Sequence, residues 1–129
     1  RIPEPDENTS PAFAPHIFAD REQIVRVFNN LIRNAIQAIP EDREGIIEIR
    51  LRPEEGMIAV SVSDNGNGIP EALRGNIFSP RFTTKTGGAG LGLAIVKSIL
   101  ESCGGNIRFE SAPGRGTVFF VSFPVSVPE

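Results

Sequence analysis

A single cysteine, Cys103, stands in the 129 residues, so neither an intramolecular disulfide nor a zinc site built on cysteines can form. A chain without disulfides suits a reducing cytoplasm. No apolar run approaches the roughly 18–20 residues needed to span a bilayer. No basic segment followed by an apolar stretch opens the chain, so a signal peptide is not expected. Basic residues are also short: 13 Lys and Arg stand against 16 Asp and Glu, a net charge of -3. That balance argues against a nucleic-acid binder, because phosphate backbones demand a basic face. What is present is ordinary for a globular protein, with 40% hydrophobic and 22% charged residues. The length fits one domain around one core.

Residues 1–15 carry Pro3, Pro5, Pro11 and Pro15 among polar residues and read as a linker or irregular lead-in. The start at Arg1-Ile2-Pro3 reads as the beginning of a piece of something longer, and the domain proper is expected over 16–129. Asp20 makes a good helix N-cap, with Gln23 at the reciprocal capping position. Beyond it Ile24, Phe28, Leu31, Ile32, Ala35, Ile36 and Ile39 recur at helical spacing and predict a buried stripe. Pro40 should end that helix. Ile46–Arg52 and Met57–Asp64 alternate and predict an antiparallel hairpin around a Pro53–Gly56 turn. A Gly-, Pro- and Thr-rich stretch over 65–90 is too long for a plain connector and is a candidate functional loop. Leu91–Cys103 predicts a second helix stopped by Gly104-Gly105. Two more strands, 107–111 and 117–125, flank a turn at Pro113–Gly116. The order predicts an α+β fold, a two-layer α/β sandwich with helices on one face of a mostly antiparallel mixed sheet.

Three places carry candidate chemistry. Asn30, Asn34 and Gln37 form a polar column on the first helix, beside the apolar stripe. An amide oxygen suits Mg²⁺, which keeps several waters and takes other ligands from phosphates; a solvated helix face is the plainer alternative. Asn is a poor helix former, so two in mid-helix need a reason. On the hairpin's second strand Asp64 shares the apolar face of Ile58, Val60 and Val62, where a carboxylate is costly unless it accepts hydrogen bonds. Asn65-Gly66-Asn67-Gly68 follows, and its glycines, Gly66 and Gly68, let the backbone approach a ligand closely. A carboxylate facing such a pocket is a natural acceptor for the exocyclic amine of adenine, although Asn-Gly is also an ordinary turn signal. Gly66 stands where a calcium loop needs a ligating side chain, which excludes that loop. Finally, Gly87-Gly88-Ala89-Gly90-Leu91-Gly92 runs into a helix, and free backbone N–H groups there suit phosphates, with Lys85 adding a cation upstream. A flexible glycine linker is the alternative. The pattern is neither a Walker A loop nor a dinucleotide fingerprint.

Taken in order, these segments resemble the histidine-kinase branch of the ATPase superfamily that also holds gyrase, the Hsp90 chaperones and MutL. Phe28–Ala35 looks like the N box, Asp64–Gly68 like G1, Ile77–Lys85 like the F box, Gly88–Leu93 like G2 and Gly116–Phe119 like the last G box. The resemblance covers about residue 16 to the end and implies the Bergerat ATP-binding fold. It implies ATP and Mg²⁺ as cofactors, with Asn34 ligating Mg²⁺ and Asn30 near the phosphates. Asp64 would accept from the adenine amine and Thr117 would support the base through water. Gly88, Gly90, Leu91 and Gly92 would cradle phosphates, Lys85 would reach them, and residues 79–90 would form a mobile lid.

Gyrase-like and Hsp90-like members place a glutamate one helical turn before the Mg²⁺ asparagine to activate water. Here that place is Asn30, and an amide cannot serve as that general base. Transfer of the γ-phosphoryl group to an external nucleophile is expected instead. That nucleophile is not expected here: His16, the only histidine, sits in Ala14-Pro15-His16-Ile17-Phe18 and reads as a surface or strand-edge residue. The resemblance implies a histidine on a separate dimerisation segment and a downstream response regulator as partners. It implies no nucleic acid and no direct membrane contact, and a cytoplasmic location, whether or not the whole protein is membrane-anchored. Gln37 replaces a cation common in membrane-bound members and is similar to the nitrogen-regulation type. An anti-sigma-factor serine kinase and a non-catalytic nucleotide-binding module remain open readings.

Overall fold

The computed structural model describes residues 16–17, 20–79 and 89–126, with backbone only at 16–17, 89–91 and 126. The order of elements is β1 (His16–Ile17), α1 (Arg21–Ala38), β2 (Ile47–Glu54), β3 (Met57–Asp64), a 3₁₀ helix (Glu71–Asn76), α2 (Ala89–Ser102), β4 (Asn106–Ala112) and β5 (Gly116–Ser126). The two α-helices and the antiparallel sheet form the expected sandwich. Strand order runs β1-β5-β3-β2, with β4 also paired to β5, and every described pairing is antiparallel. His16 lies on β1, opposite Ser126.

α1 begins as its cap residue dictates. Asp20 is extended, and its Oδ1 accepts from the Glu22 N–H at 2.9 Å, meeting one of the N–H groups that a helix start leaves unpaired. The helix stops at Ala38, because Ile39, just before Pro40, is extended. Val27, Leu31 and Ala35 are its buried residues, flanked by the partly buried Ile24, Phe28 and Ile32. Ile36, assigned to the stripe from its spacing, is 59% exposed. It lies five residues past Leu31, about 140° around the helix at 3.6 residues per turn, and so overshoots the core.

The core closes between α1, α2 and one face of the sheet. α2 contributes Leu93, Val96, Ile99 and Leu100, and the sheet contributes Ile49, Ile58, Val60, Val62, Phe119, Val121 and Phe123. Alternation sends Arg50, Ser61, Arg108 and Phe120 to the other face, where the Arg108 guanidinium lies 3.9 Å from the Phe120 ring centroid. The β2–β3 turn is tighter than expected. Glu54 pairs with Met57, leaving only Glu55 and Gly56 to turn the chain, and Gly56 takes φ +70°. Pro53 stays within β2, an edge strand, where its missing N–H costs no ladder bond. The long stretch over 65–90 contains the 3₁₀ helix as an element of its own, and α2 starts at Ala89, two residues before the expected Leu91. The terminal strands run one residue longer at each end than their sequence pattern implied.

Leu100 is fully buried, so Leu100→Ala should cost about 2–5 kcal/mol. Ile36→Ala, at an exposed position, should change stability by less than about 0.5 kcal/mol. Urea unfolding of both variants at equal pH measures the contrast.

Candidate active site

Asp64 closes β3 on the core face, directly opposite Thr117 of β5. Alternation with Ile58, Val60 and Val62 leaves Asp64 only 9% exposed. Oδ1 accepts the Gly66 N–H at 2.8 Å. Burial raises the carboxyl above the ordinary aspartate range, and backbone hydrogen bonds from Gly66 and Thr117 oppose that rise. The glycines beside it are required by space. A Cβ on Gly66 would collide with the Ala38 carbonyl, and one on Gly116 with the Asp64 carbonyl. Gly68 takes φ +77°, and a Cβ there would lie 2.5 Å from the Ala112 oxygen. The Asp64–Gly68 turn is therefore pressed between the end of α1 and the β4–β5 turn. Asn67 N–H donates to Ala38 O at 3.0 Å, and Gly114 N–H donates to Asn67 O at 2.8 Å.

Thr117 is 3% exposed. Its hydroxyl lies 2.9 Å from Ser111 Oγ, which also accepts the Ile69 N–H at 2.7 Å and reaches Gly116 O at 3.2 Å. All of these are satisfied when Thr117 donates to Ser111 and Ser111 donates to Gly116 O. A depression of about 300 Å³ opens at this end of the sheet, lined by Asp64, Ser111, Arg115, Gly116 and Thr117 among others. Ser111 was not singled out in the sequence. It is the penultimate residue of β4, on the face of Ile107 and Phe109, and like Asp64 it is a polar residue closing an apolar alternation. Arg74 braces the same corner, with Nη2 donating to Ser111 O at 2.7 Å and Nε to Ile69 O at 3.4 Å.

Asn30 and Asn34 are half-buried on α1, and Gln37 is exposed. Asn30 Nδ2 donates to Arg26 O, one turn back, at 2.9 Å. Its Oδ1 faces α2, since a Cβ on Gly92 would lie 2.9 Å from it. The N-box helix and the glycine-rich start of α2 thus meet at Asn30 and Gly92. The Asn34 amide makes no hydrogen bond among the described residues. Gly90 and Leu91 fall in the first turn of α2. Lys85, Gly88 and most of the expected lid lie outside the described residues. At the foot of that segment Phe78 packs against Phe109 and Phe119, with ring centroids 5.9 and 6.5 Å away, and the Lys97 ammonium lies 5.5 Å from its ring.

Residues 19–127 match the family of histidine kinase-, DNA gyrase B-, and HSP90-like ATPases. The chain is 43% identical to the sensory histidine kinase/phosphatase NtrB of Azospirillum brasilense over 124 residues, 86% of this chain and 31% of NtrB. Among solved structures it is similar to the catalytic domain of the histidine kinase ThkA, with TM-score 0.72 and 43% identity over 82% of this chain and 69% of that one. It is also similar to full-length ShkA in complex with AMPPNP, with TM-score 0.74 and 29% identity over 88% of this chain and 24% of that one. The chain belongs to this ATPase family, and the fold is the Bergerat fold of histidine kinase catalytic domains. It spans about a third of the length of NtrB. No helix among the described residues is long and apolar enough to cross a membrane.

The raised carboxyl of Asp64 has a stability consequence. A folded-state pKa above the unfolded value means that stability is highest below the unfolded pKa, about 3.9 for aspartate, and falls as pH rises through the folded pKa. Asp64→Asn, which keeps an oxygen to accept from Gly66, should be at least as stable as the parent at neutral pH. The difference should shrink as pH falls through the carboxylate range. Denaturant midpoints across that range measure it.

Proposed function

We infer that this domain binds Mg-ATP and delivers the γ-phosphoryl group to a histidine on a separate dimerisation segment, in two-component signalling with a response regulator downstream. The observation that carries the reading is Asn30. It sits one helical turn before Asn34, with its amide bonded to Arg26 O and turned toward Gly92. An amide has no basic lone pair at neutral pH, so water is not activated there. What the site can supply is positioning and charge neutralisation, the main demands of phosphoryl transfer to an outside nucleophile.

Each residue then has a task. The Asp64 carboxylate accepts the exocyclic amine of adenine, and Thr117, its proton committed to Ser111, supports the base through water. Gly88, Gly90, Leu91 and Gly92 present backbone N–H groups at the start of α2, where the helix dipole favours anions. Lys85 adds a point charge to the phosphates. The Asn34 amide, unbonded among the described residues, fits an oxygen ligand for Mg²⁺, which when bound would neutralise charge on the transferring phosphates. An imidazole nitrogen brought in by the partner segment forms the new P–N bond as the bond to the ADP oxygen breaks. The relatives support this reading: NtrB is named a sensory histidine kinase/phosphatase, and ShkA was solved with AMPPNP. A cytoplasmic location, where ATP is supplied, goes with it.

Calorimetric titration of ADP with Mg²⁺ tests the pocket. Asp64→Asn should weaken binding ten- to a hundredfold, the loss of one charge-assisted hydrogen bond worth about 1.5–3 kcal/mol. Asn34→Ala should abolish the contribution of Mg²⁺ while leaving Mg²⁺-free binding unchanged. Labelled ATP mixed with the domain and a histidine-bearing two-helix segment should give acid-labile, base-stable label on that segment. Label on a serine-bearing antagonist protein instead would favour the anti-sigma-type reading, and ATP binding with neither acceptor labelled would favour a regulatory module.

A further inference from the structure

Arg43 lies in the loop between α1 and β2, outside every motif that the family resemblance marks. Its backbone N–H closes a turn on Pro40 O at 3.3 Å. Its side chain leaves that loop and enters the Asp64–Gly68 turn. There Nη1 donates to Asn65 O at 2.5 Å and Gly66 O at 3.0 Å, and reaches Gly114 O of the β4–β5 turn at 3.4 Å. One guanidinium nitrogen thus gathers carbonyls from the two turns that flank the end of β3.

The peptide that Arg43 holds matters most. Asn65 C=O and Gly66 N–H belong to one planar unit and point in opposite directions. That same Gly66 N–H donates to Asp64 Oδ1 at 2.8 Å. A cation on the carbonyl end fixes the plane and polarises the N–H end, and bonds strung through one peptide reinforce each other. The next peptide is held as firmly, with Gly66 O on Arg43 and Asn67 N–H on Ala38 O. The Asn65 side chain ties the same two loops together, its Oδ1 accepting from Ile46 N–H and its Nδ2 donating to Glu44 O, both at 2.8 Å. That second tie leaves the loops joined when Arg43 is removed, which separates the orientation of the peptide from the fold of the turn.

We propose that Arg43 is a positioning residue for nucleotide binding: through the Asn65–Gly66 peptide it sets the direction of the Asp64 carboxylate that receives the base. The proposal rests on the reading of Asp64 as the acceptor for adenine. Arg43 touches no nucleotide itself.

The test compares the parent domain with Arg43→Ala, Arg43→Lys and Asp64→Asn. It measures ADP affinity in Mg²⁺ by calorimetry, exchange of the Gly66 amide proton by NMR, and the thermal midpoint. Arg43→Ala should weaken ADP binding about tenfold, the scale of one lost charge-assisted hydrogen bond, and should speed Gly66 exchange. Lysine is shorter and reaches fewer of the carbonyls, so Arg43→Lys should fall between the parent and the alanine variant on both readouts. A lower thermal midpoint in Arg43→Ala with the parent's ADP affinity would make Arg43 a structural tie only, and the proposal would be overturned. Where Arg43→Ala does not fold, the lysine variant decides: parent-like affinity and exchange overturn the proposal, and weaker ADP binding together with faster Gly66 exchange than the parent upholds it. Unchanged binding in Asp64→Asn removes the base-acceptor reading and the role of Arg43 with it. Loss in Asp64→Asn without loss in Arg43→Ala removes the role of Arg43 alone.

Discussion

A carboxylate at the end of an apolar strand face is the constraint around which this end of the molecule is built. Asp64 is too buried for water to solvate it well, and its raised pKa registers that cost. Ionisation is kept possible by peptide N–H groups from Gly66 and Thr117, and each makes a demand of its own. The turn can bring Gly66 back onto Asp64 only if residue 66 has no side chain, because the end of α1 occupies that space. Thr117 stands opposite only if β5 enters its ladder at Gly116, again with no room for a Cβ. Gly66 and Gly116 are therefore fixed by packing around one charged residue, and loop flexibility does not explain them.

The second half of the site has a different basis. Asn30 is bonded back to its own helix, and the oxygen of the same amide abuts Gly92 at the start of α2. A polar position on α1 and a side-chain-free position on α2 are thus matched across the helix pair, close to the N–H groups that a helix start leaves unpaired. Asn34, one turn further along, makes no side-chain hydrogen bond among the described residues. α1 therefore presents two asparagines whose amide oxygens accept no hydrogen bond among the described residues, and of the two only Asn30 has its amide nitrogen bonded to backbone.

Local rules carried much of this into the sequence. Period-two alternation placed Asp64 on the apolar face, Asp20 and Pro40 marked the ends of α1, and the order of Gly- and Asn-rich segments identified the family. The failures are of two kinds. Ile36 and the β2–β3 turn were misjudged because each lay at the limit of a local pattern: a stripe followed one step too far around the helix, and a proline read as a turn although an edge strand tolerates it. Ser111, Arg74 and Arg43 went unnoticed for a deeper reason. Their partners are mostly backbone carbonyls and amides, several of them from segments distant in the chain, and a bond to a peptide group leaves no complementary residue type to find.

The pairing of Asp64 with Thr117 also has a consequence for the order in which the protein comes into being. β3 and its carboxylate leave the ribosome well before β5, the strand that sets Thr117 opposite it. Until that last strand docks, Asp64 has no Thr117 opposite it and no reason to stay buried. A nascent chain that already carries α1, β2 and β3 would present a hydrated aspartate beside a loose glycine turn. The buried surroundings of Asp64 arrive with closure of the sheet, since contacts between segments far apart in sequence form only after the loop entropy between them has been overcome. A nucleotide that binds the finished domain therefore draws on the whole fold, and its binding energy stabilises the sheet as a unit.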